Sequence, residues 1–272
     1  MENYYPKITV ATVVINAESV IEKTINSVLN QDYPNIEYVV IDGKSQDSTK
    51  SIIAKYSHQI QKYISEADDG IYDAMNKASK LASGEWIIYM NAGDVFYSSD
   101  SLSKLTQAFN SDADVIFAGV AEVFVDEFET RIFHKMPRTI ENIWYQMPTS
   151  HQATIVRLST QRHYQFNTAY KWCADHDMLA RIYRDGKKFL SENILLSTFD
   201  CRSTGSHRSL KLYIWERWQI SRGLVAYHIR LFHYGKEWFH HTLWGKIVTL
   251  IKKIVPKHTI LNLRRVRGTT GN

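Results

Sequence analysis

Five acidic or amide side chains stand just past short apolar runs in the first hundred residues: Asp42, then Asp68 and Asp69, then Asn91 and Asp94. Oxygen donors of this kind suit a hard divalent cation, Mg²⁺ or Mn²⁺, which keeps coordination positions for water and for a ligand's phosphates. No phosphate loop competes with them. The residues after the first apolar run are Asn16-Ala17-Glu18 rather than G-x-G-x-x-G, which argues against a dinucleotide site. G-x-x-x-x-G-K-[ST] is absent, which excludes a P-loop NTPase, and so is the G-x-S-x-G nucleophile elbow. The chemistry that remains is that of a phosphate-bearing ligand met through a metal ion.

Those oxygens need elements to bring them together. Ile8–Ile15 and Ile36–Ile41 are continuous apolar runs, as strands buried on both faces require. Tyr63–Ser65, Trp86–Met90 and Val115–Gly119 read as further strands. Between the first two, Ile21, Ile25, Val28 and Leu29 share a helical face, with Asn16 as its expected cap. Helices are also expected over Thr49–Tyr56, Ile71–Ala82 and Ser101–Phe109. This alternation predicts an α/β fold with a mainly parallel sheet and helices on both faces. Right-handed crossovers then gather the polar loops at the carboxyl edge of the sheet, where ligands bind in such folds.

The 272 residues are 44% hydrophobic and 22% charged, the balance of a soluble globule rather than a disordered chain or a bundle of membrane spans. Two cysteines, Cys173 and Cys201, permit one disulfide at most, so a reduced, cytoplasmic compartment is expected. The opening MENYYPK lacks the pattern of a secretory signal. From His207 onward 13 Lys and Arg face two Glu, whereas the part before it carries a net −6. That asymmetry predicts a body over residues 1–206 and a basic amphipathic helical tail over residues 207–272. Trp215, Trp218, Leu224 and Val225 lie at roughly helical spacing in the tail. Such a tail fits an anionic membrane surface, a nucleic acid or an acidic partner. No nucleic-acid module is present, so no nucleic acid is expected. A membrane surface is the expectation, with Leu243–Val255 lying on it rather than crossing it, and plain packing on the body is the alternative.

Six blocks of sequence carry a resemblance: ITVATVVIN (8–16), YVVIDGKSQDST (38–49), SEADDGIYDAMNKA (65–78), GEWIIYMNAGDVF (84–96), SHQATIVR (150–157) and CADHDMLARIYRDG (173–186). In this order they resemble the inverting family 2 glycosyltransferases of GT-A fold, in the branch of bacterial colanic-acid, capsule and O-antigen transferases. The resemblance runs over about residues 8–205. It implies a Rossmann-like nucleotide-diphospho-sugar transferase domain in residues 1–206. It also implies an enzyme of hexosyltransferase type, dependent on Mn²⁺ or Mg²⁺. The donor would be a UDP, GDP or dTDP sugar, and the acceptor a hydroxyl of a glycan or polyprenyl-linked molecule. With the basic tail, the expected location is the inner face of the cell membrane, as a peripheral protein.

Residue by residue, the resemblance assigns Thr12 and Val13 to the wall of the nucleobase pocket and Asp42 to the base itself. Asp68 and the helix start through Asn76 fall beside the nucleoside, with Met75 where Arg is usual. Asp94 matches the last acid of the D-x-D motif and is the expected metal ligand; Asn91 stands where the first acid belongs. Asp175 matches the catalytic base, in the first turn of a helix over Asp175–Asp185, with Ala174 in place of the usual acid and Asp177 as its rival. His151-Gln152 matches a pair near the acceptor or donor sugar, and His207 a late metal or diphosphate ligand. Each has a plainer reading: Asp42 and Asp94 as helix caps, Asp175 as a helix-dipole acid, His151 as a structural histidine, His207 as a solvated one, and Cys173 as packing. Two rival functions stay open, a nucleotidyltransferase and a non-catalytic nucleotide-sugar-binding scaffold.

Overall fold

The computed structural model describes residues 4–125, 129–200 and 209–239. β1 (Ile8–Val14) and β2 (Ile36–Asp42) are buried along almost their whole length, as unbroken apolar strands should be. α1 (Ile21–Leu29) joins them and starts after Val20, not at Asn16. Asn16 has a φ of 46° and instead ties two loops: its N–H donates to Ser45 Oγ, and its Oδ1 accepts from Gln46 N–H. α2 (Thr49–Ala54), β3 (Lys62–Ser65), α3 (Ile71–Leu81) and β4 (Trp86–Tyr89) complete a parallel half-sheet in the order β3-β2-β1-β4.

The second half departs from the expected parallel sheet. β8 (Thr154–Arg157) runs antiparallel between β4 and β6 (Val115–Val125), and β9 (Phe189–Asp200) pairs parallel with β6. β5 (Val95–Phe96) and β7 (Thr130–Lys135) add antiparallel pairs to β9 and β6. Among the described residues the order is β3-β2-β1-β4-β8-β6-β9-β5, with β7 beside β6. The cause is the connections. After β6 the chain runs through 3₁₀ turns at 140–144 and 151–153, and antiparallel neighbours need no crossover helix. The helix expected over Ser101–Phe109 is a 3₁₀ turn at 103–105 running into α4 (Thr106–Phe109).

Alternate residues of the central strands feed two cores. Ile8, Val10, Val40 and Ile88 pack with Ile21 and Ile25 of α1 on one face. Ala11, Val39, Ile41 and Ile87 pack on the other with Ala74 and Met75 of α3 and Met178 of α6 (Ala174–Arg184). α5 (Leu158–Tyr164) follows β8. α7 (Leu210–Ile220) buries Ile214, Glu216, Arg217 and Ile220 and leaves Trp215 exposed. The expected stripe through Leu224 and Val225 is therefore broken: α7 stops at Ile220, and Gly223, at φ 76°, turns the chain into α8 (Tyr227–Phe239). Arg230 and Tyr234 are the buried residues of α8; Tyr234 OH donates to the Trp144 carbonyl at 3.0 Å. His207 and Leu243–Val255 lie outside the described residues.

Candidate active site

The carboxyl ends of β1, β2 and β3 meet at one corner. Asp42, the last residue of β2, is 0% exposed. Both its oxygens accept from Ser45 N–H at 3.2 Å, and Oδ2 also accepts from the Ser65 hydroxyl at 2.5 Å. Thr12 is equally buried, its hydroxyl donating to the Met90 carbonyl at 2.7 Å and lying 3.0 Å from Tyr38 OH. Val13 belongs to the core. Thr12, Val13 and Asp42, expected at the nucleobase pocket, thus stand together at the strand ends of this corner with little exposed surface. Asn76, expected beside the nucleoside, is also buried. Its amide donates to the Phe166 carbonyl at 2.8 Å and accepts from Phe166 N–H at 2.9 Å, clamping the loop that precedes α6.

Other side chains face solvent at this corner. Ile15 is exposed and Asp68 half-buried. A Cβ on Gly43 would lie 2.5 Å from Asp68 Oδ2 and 3.3 Å from Cβ and Cδ1 of Ile15. Glycine here is what admits the Asp68 carboxylate; its other oxygen accepts from Gly70 N–H at 3.0 Å. Ile15 and Gly43 were not singled out from the sequence. The available signal was a glycine directly after a strand end.

Across β4, the loop Asn91–Asp94 turns at Gly93, whose φ is 102°. Thr24 of α1 fixes it: its hydroxyl accepts from Gly93 N–H and donates to the Asp94 carbonyl, both at 2.9 Å. His151 Nε2 is 3.0 Å from Asn91 Nδ2 and 3.5 Å from Asp94 Oδ2. One nitrogen cannot accept from the amide and donate to the carboxylate at once. In the neutral ring with the proton on Nδ1, Nε2 accepts from Asn91; in the protonated ring Nε2–H faces Asp94 instead. Burial alone would push the His151 imidazole down, but the hydrogen bond and charge of Asp94, with the charge of Asp175, hold it above its ordinary value. A cation beside Asp94 would remove that pull.

Among the described residues, no group of three or more His, Cys, Asp or Glu comes together as a metal site. A smaller oxygen set does fit Mn²⁺ or Mg²⁺. Asn91 Oδ1 is buried without a hydrogen-bond partner among the described residues, and the Asp94 carboxylate belongs to the same short loop. One carboxylate and one amide oxygen leave most positions for water and phosphate, as Mg²⁺-type ions prefer.

Asp175 enters from the first turn of α6. Its Oδ1 accepts from His176 N–H at 2.8 Å and lies 3.3 Å from Tyr72 OH, which donates to the nearer Trp172 carbonyl at 2.9 Å. Burial, then the charge of Asp175, raises the Tyr72 hydroxyl far above its ordinary value, so it stays protonated. The rival acid is already engaged: Asp177 pairs with Arg181 at 2.8 Å. His176 points into the core, donating from Nε2 to the Ile143 carbonyl, and burial lowers its imidazole against the upward pull of that carbonyl and of Asp175. Asp175, His151, Tyr89, Phe166 and Met178 line one small, mostly apolar cleft. Gln152 does not: it is buried, and its amide has no partner among the described residues. The structure therefore gathers Asn91, Asp94, His151 and Asp175, sets Ile15, Gly43 and Asp68 at the neighbouring corner, and buries Thr12, Val13, Asp42, Asn76 and Gln152.

The sequence model of glycosyl transferase family 2 matches residues 9–178. A PGL/p-HBAD biosynthesis glycosyltransferase of Mycobacterium tuberculosis is 26% identical over 120 residues, covering 42% of this chain and 47% of its own. TuaG of Bacillus subtilis, assigned to teichuronic acid biosynthesis as a glycosyltransferase, is 33% identical over 107 residues, covering 38% and 42%. This chain thus spans about half the length of the curated relatives it matches. Among solved structures, S. aureus TarS 1-349 in complex with UDP-GlcNAc superposes with a TM-score of 0.62 at 20% identity, covering 80% of this chain and 65% of that one. The mannosyltransferase PcManGT from Pyrobaculum calidifontis, in complex with GDP-Man and Mn²⁺, gives 0.60 at 17% identity, covering 97% and 80%. At these identities the two structures establish the shared GT-A fold.

Proposed function

For a chain that belongs to glycosyl transferase family 2, we propose the transfer of a sugar from a nucleoside-diphosphate sugar to a hydroxyl of a glycan or polyprenyl-linked acceptor, with inversion, in the synthesis of a bacterial surface polysaccharide. The observation that carries this reading is the meeting of Asp94, His151 and Asp175: His151 lies 3.5 Å from Asp94, and it shares the walls of one cleft with Asp175. The donor class draws support from UDP-GlcNAc in TarS and GDP-Man with Mn²⁺ in PcManGT. The surface-glycan setting draws support from the teichuronic acid assignment of TuaG.

In this reading the nucleobase lies against Ile15, and Asp68 accepts from a ring N–H through the opening that Gly43 leaves. Asp68 is chosen for this role over Asp42, which is fully buried. Asp94 and Asn91 Oδ1 would hold Mn²⁺ or Mg²⁺, which when bound offsets the charge of the departing nucleoside diphosphate. Asp175 takes the proton of the acceptor hydroxyl as the new C1–O bond forms, and the diphosphate leaves from the opposite face. His176 N–H steadies one oxygen of Asp175, with Tyr72 close beside it, and the other oxygen is left for the acceptor. His151 spaces the two halves. No covalent intermediate is required.

The proposed peripheral place on the inner membrane face draws support from α8. His228, Leu231, Phe232, Lys236 and Phe239 all point away from the body, with Phe232 76% exposed. The 33 residues after Phe239 carry seven Lys and Arg and no acid. An outward apolar helix face beside a uniformly cationic segment is complementary to an anionic leaflet.

The test is release of nucleotide from a panel of UDP-, GDP- and dTDP-sugars with Mn²⁺, read by mass spectrometry. Asp175→Asn should lower turnover about 10²–10⁴-fold, the usual contribution of a general base, and Asp94→Ala should abolish the response to Mn²⁺. Undiminished turnover in both variants would sink the assignment.

A further inference from the structure

Glu216 belongs to α7, in the stretch that reads as a basic tail, yet it is 1% exposed. Its Oε1 accepts from Lys171 N–H at 2.8 Å, and its Oε2 accepts from Trp172 and Cys173 N–H at 3.0 Å each. Those three residues directly precede Ala174, the first residue of α6. Three successive amide hydrogens converge on one carboxylate, the arrangement that backbone nests and helix starts offer to anions. The same segment is gripped from the other side, where Tyr72 OH donates to the Trp172 carbonyl at 2.9 Å. Tyr72 OH also lies 3.3 Å from Asp175 Oδ1.

We propose that Glu216 is a positioning residue for Asp175: the carboxylate of α7 fixes the strip 171–173, and the strip fixes where α6 begins and where Asp175 points. The proposal rests on the reading of Asp175 as the base. If Glu216 only fastened α7 to the body, any inward contact would serve. Its three hydrogen bonds fall instead on the backbone immediately upstream of Asp175. The same strip anchors Tyr72, so releasing it disturbs two supports of the Asp175 carboxylate together. Glu216 touches none of Ile15, Gly43 and Asp68, so donor binding should not sense it.

Glu216→Gln keeps the shape and one acceptor oxygen but turns an NH₂ toward backbone donors; Glu216→Ala removes the clamp. In the full-length chain, we measure kcat with saturating donor, the Kd for UDP and GDP by titration, and the melting temperature. A misplacement of the base by about 1 Å costs on the order of 10²-fold. Glu216→Gln should therefore lose about 10-fold in kcat and Glu216→Ala about 100-fold, while nucleotide Kd stays within about twofold. Wild-type kcat in both variants overturns the proposal. So does a parallel decline of kcat, nucleotide affinity and folded fraction, which marks a merely structural residue. Should Glu216→Ala not fold, Glu216→Gln carries the test alone. Asp175→Asn is run alongside. If that variant turns over normally, the base assignment fails; if it is inactive while the Glu216 variants are unaffected, only the positioning role fails.

Discussion

A single methyl group at position 43 probes the donor corner more cleanly than removing a charge. Gly43 is not among the glycines with positive φ, so alanine adds no backbone strain. Its Cβ would fall 2.5 Å from Asp68 Oδ2. Ordinary contact begins near 3.5 Å, so the carboxylate must retreat by about 1 Å. It can do so, because the Asp68 arm is held there by one hydrogen bond, from Gly70 N–H at 3.0 Å. Ile15, at 3.3 Å, has only to give by a few tenths of an ångström. A hydrogen bond to an ionised acceptor is worth about 1.5–3 kcal/mol, and a shift of about 1 Å breaks it. Nucleotide affinity in Gly43→Ala should therefore fall about 10- to 100-fold. With donor saturating, kcat should change less than about threefold, because Asp175 lies across the sheet on α6. The assay is calorimetric titration of UDP and GDP, with circular dichroism to verify the fold. Asp68→Ala should lose the same amount, and the double variant no more than either alone, since both remove one contact. Wild-type affinity in Gly43→Ala, or losses that add in the double variant, would refute the idea that this glycine exists to admit Asp68.

Asp177→Asn should cost about 1 kcal/mol of stability by breaking the pair with Arg181, with kcat within about threefold of wild type; a loss matching that of Asp175→Asn would move the base to Asp177. Burial by itself raises the Glu37 carboxyl, but hydrogen bonds from Lys62, Thr9 and Ser83 outweigh it and hold it at about 2, below its ordinary 4.5. A depressed carboxyl stabilises above its unfolded value, and that stability is lost as pH falls through the folded value, so wild type should lose about 2 kcal/mol relative to Glu37→Gln between about pH 5 and 2, allowing for screening of the partly exposed Lys62; parallel stability–pH curves for the two proteins would contradict it. Phe232→Asp combined with Phe239→Asp should weaken sedimentation with phosphatidylglycerol vesicles by about 10-fold or more at low salt, with melting temperature unchanged; undiminished sedimentation would remove α8 from the membrane contact.

The parallel half of the fold was legible because β1, β2 and β4 are largely apolar runs whose environment the sequence states locally. Helix Ile71–Leu81 was legible for the same reason, through Met75 and Ala78, although Ile71 of the expected stripe is exposed. β8 and β9 were not, since their partners are set by long-range pairing, and β8 at Thr154–Arg157 is too short to announce a direction. In the proposed site, Asp94 and Asp175 stand in motifs that survive as local strings. The surroundings of Asp42 were not legible, for a physical reason. Whether a strand-end carboxylate faces a ligand or its own loop depends on Ser45 and Ser65, and only the adjacency of β2 and β3 brings Ser65 to it at 2.5 Å. Glu216 was counted merely as one of two acids in a basic tail. Nothing near it in sequence says that it reaches Cys173, 43 positions away.

The two sides of the cleft are built by different means, and this has a kinetic consequence. The proposed nucleotide corner comes wholly from the parallel half: Ile15 follows β1, Gly43 follows β2, Asp68 follows β3, and buried hydrogen bonds of Thr12, Asp42 and Ser65 lock those strand ends together. The Asp175 side comes from the start of α6, which lies outside the sheet. Its supports are side chains from elsewhere: Asn76 clamping Phe166, Tyr72 holding Trp172, and Glu216 of α7 gathering 171–173. A corner locked by the sheet binds with little reorganisation, so changes there act on donor affinity. A helix start suspended from three side chains can shift without unfolding the sheet, so changes there act on turnover. His151 is the contact between the two, on a 3₁₀ turn at 151–153 that enters β8. The antiparallel insertion of β8 beside β4 sets this turn next to Asn91 and Asp94, so the departure from a parallel sheet is what lets the second half of the chain reach the first at the site.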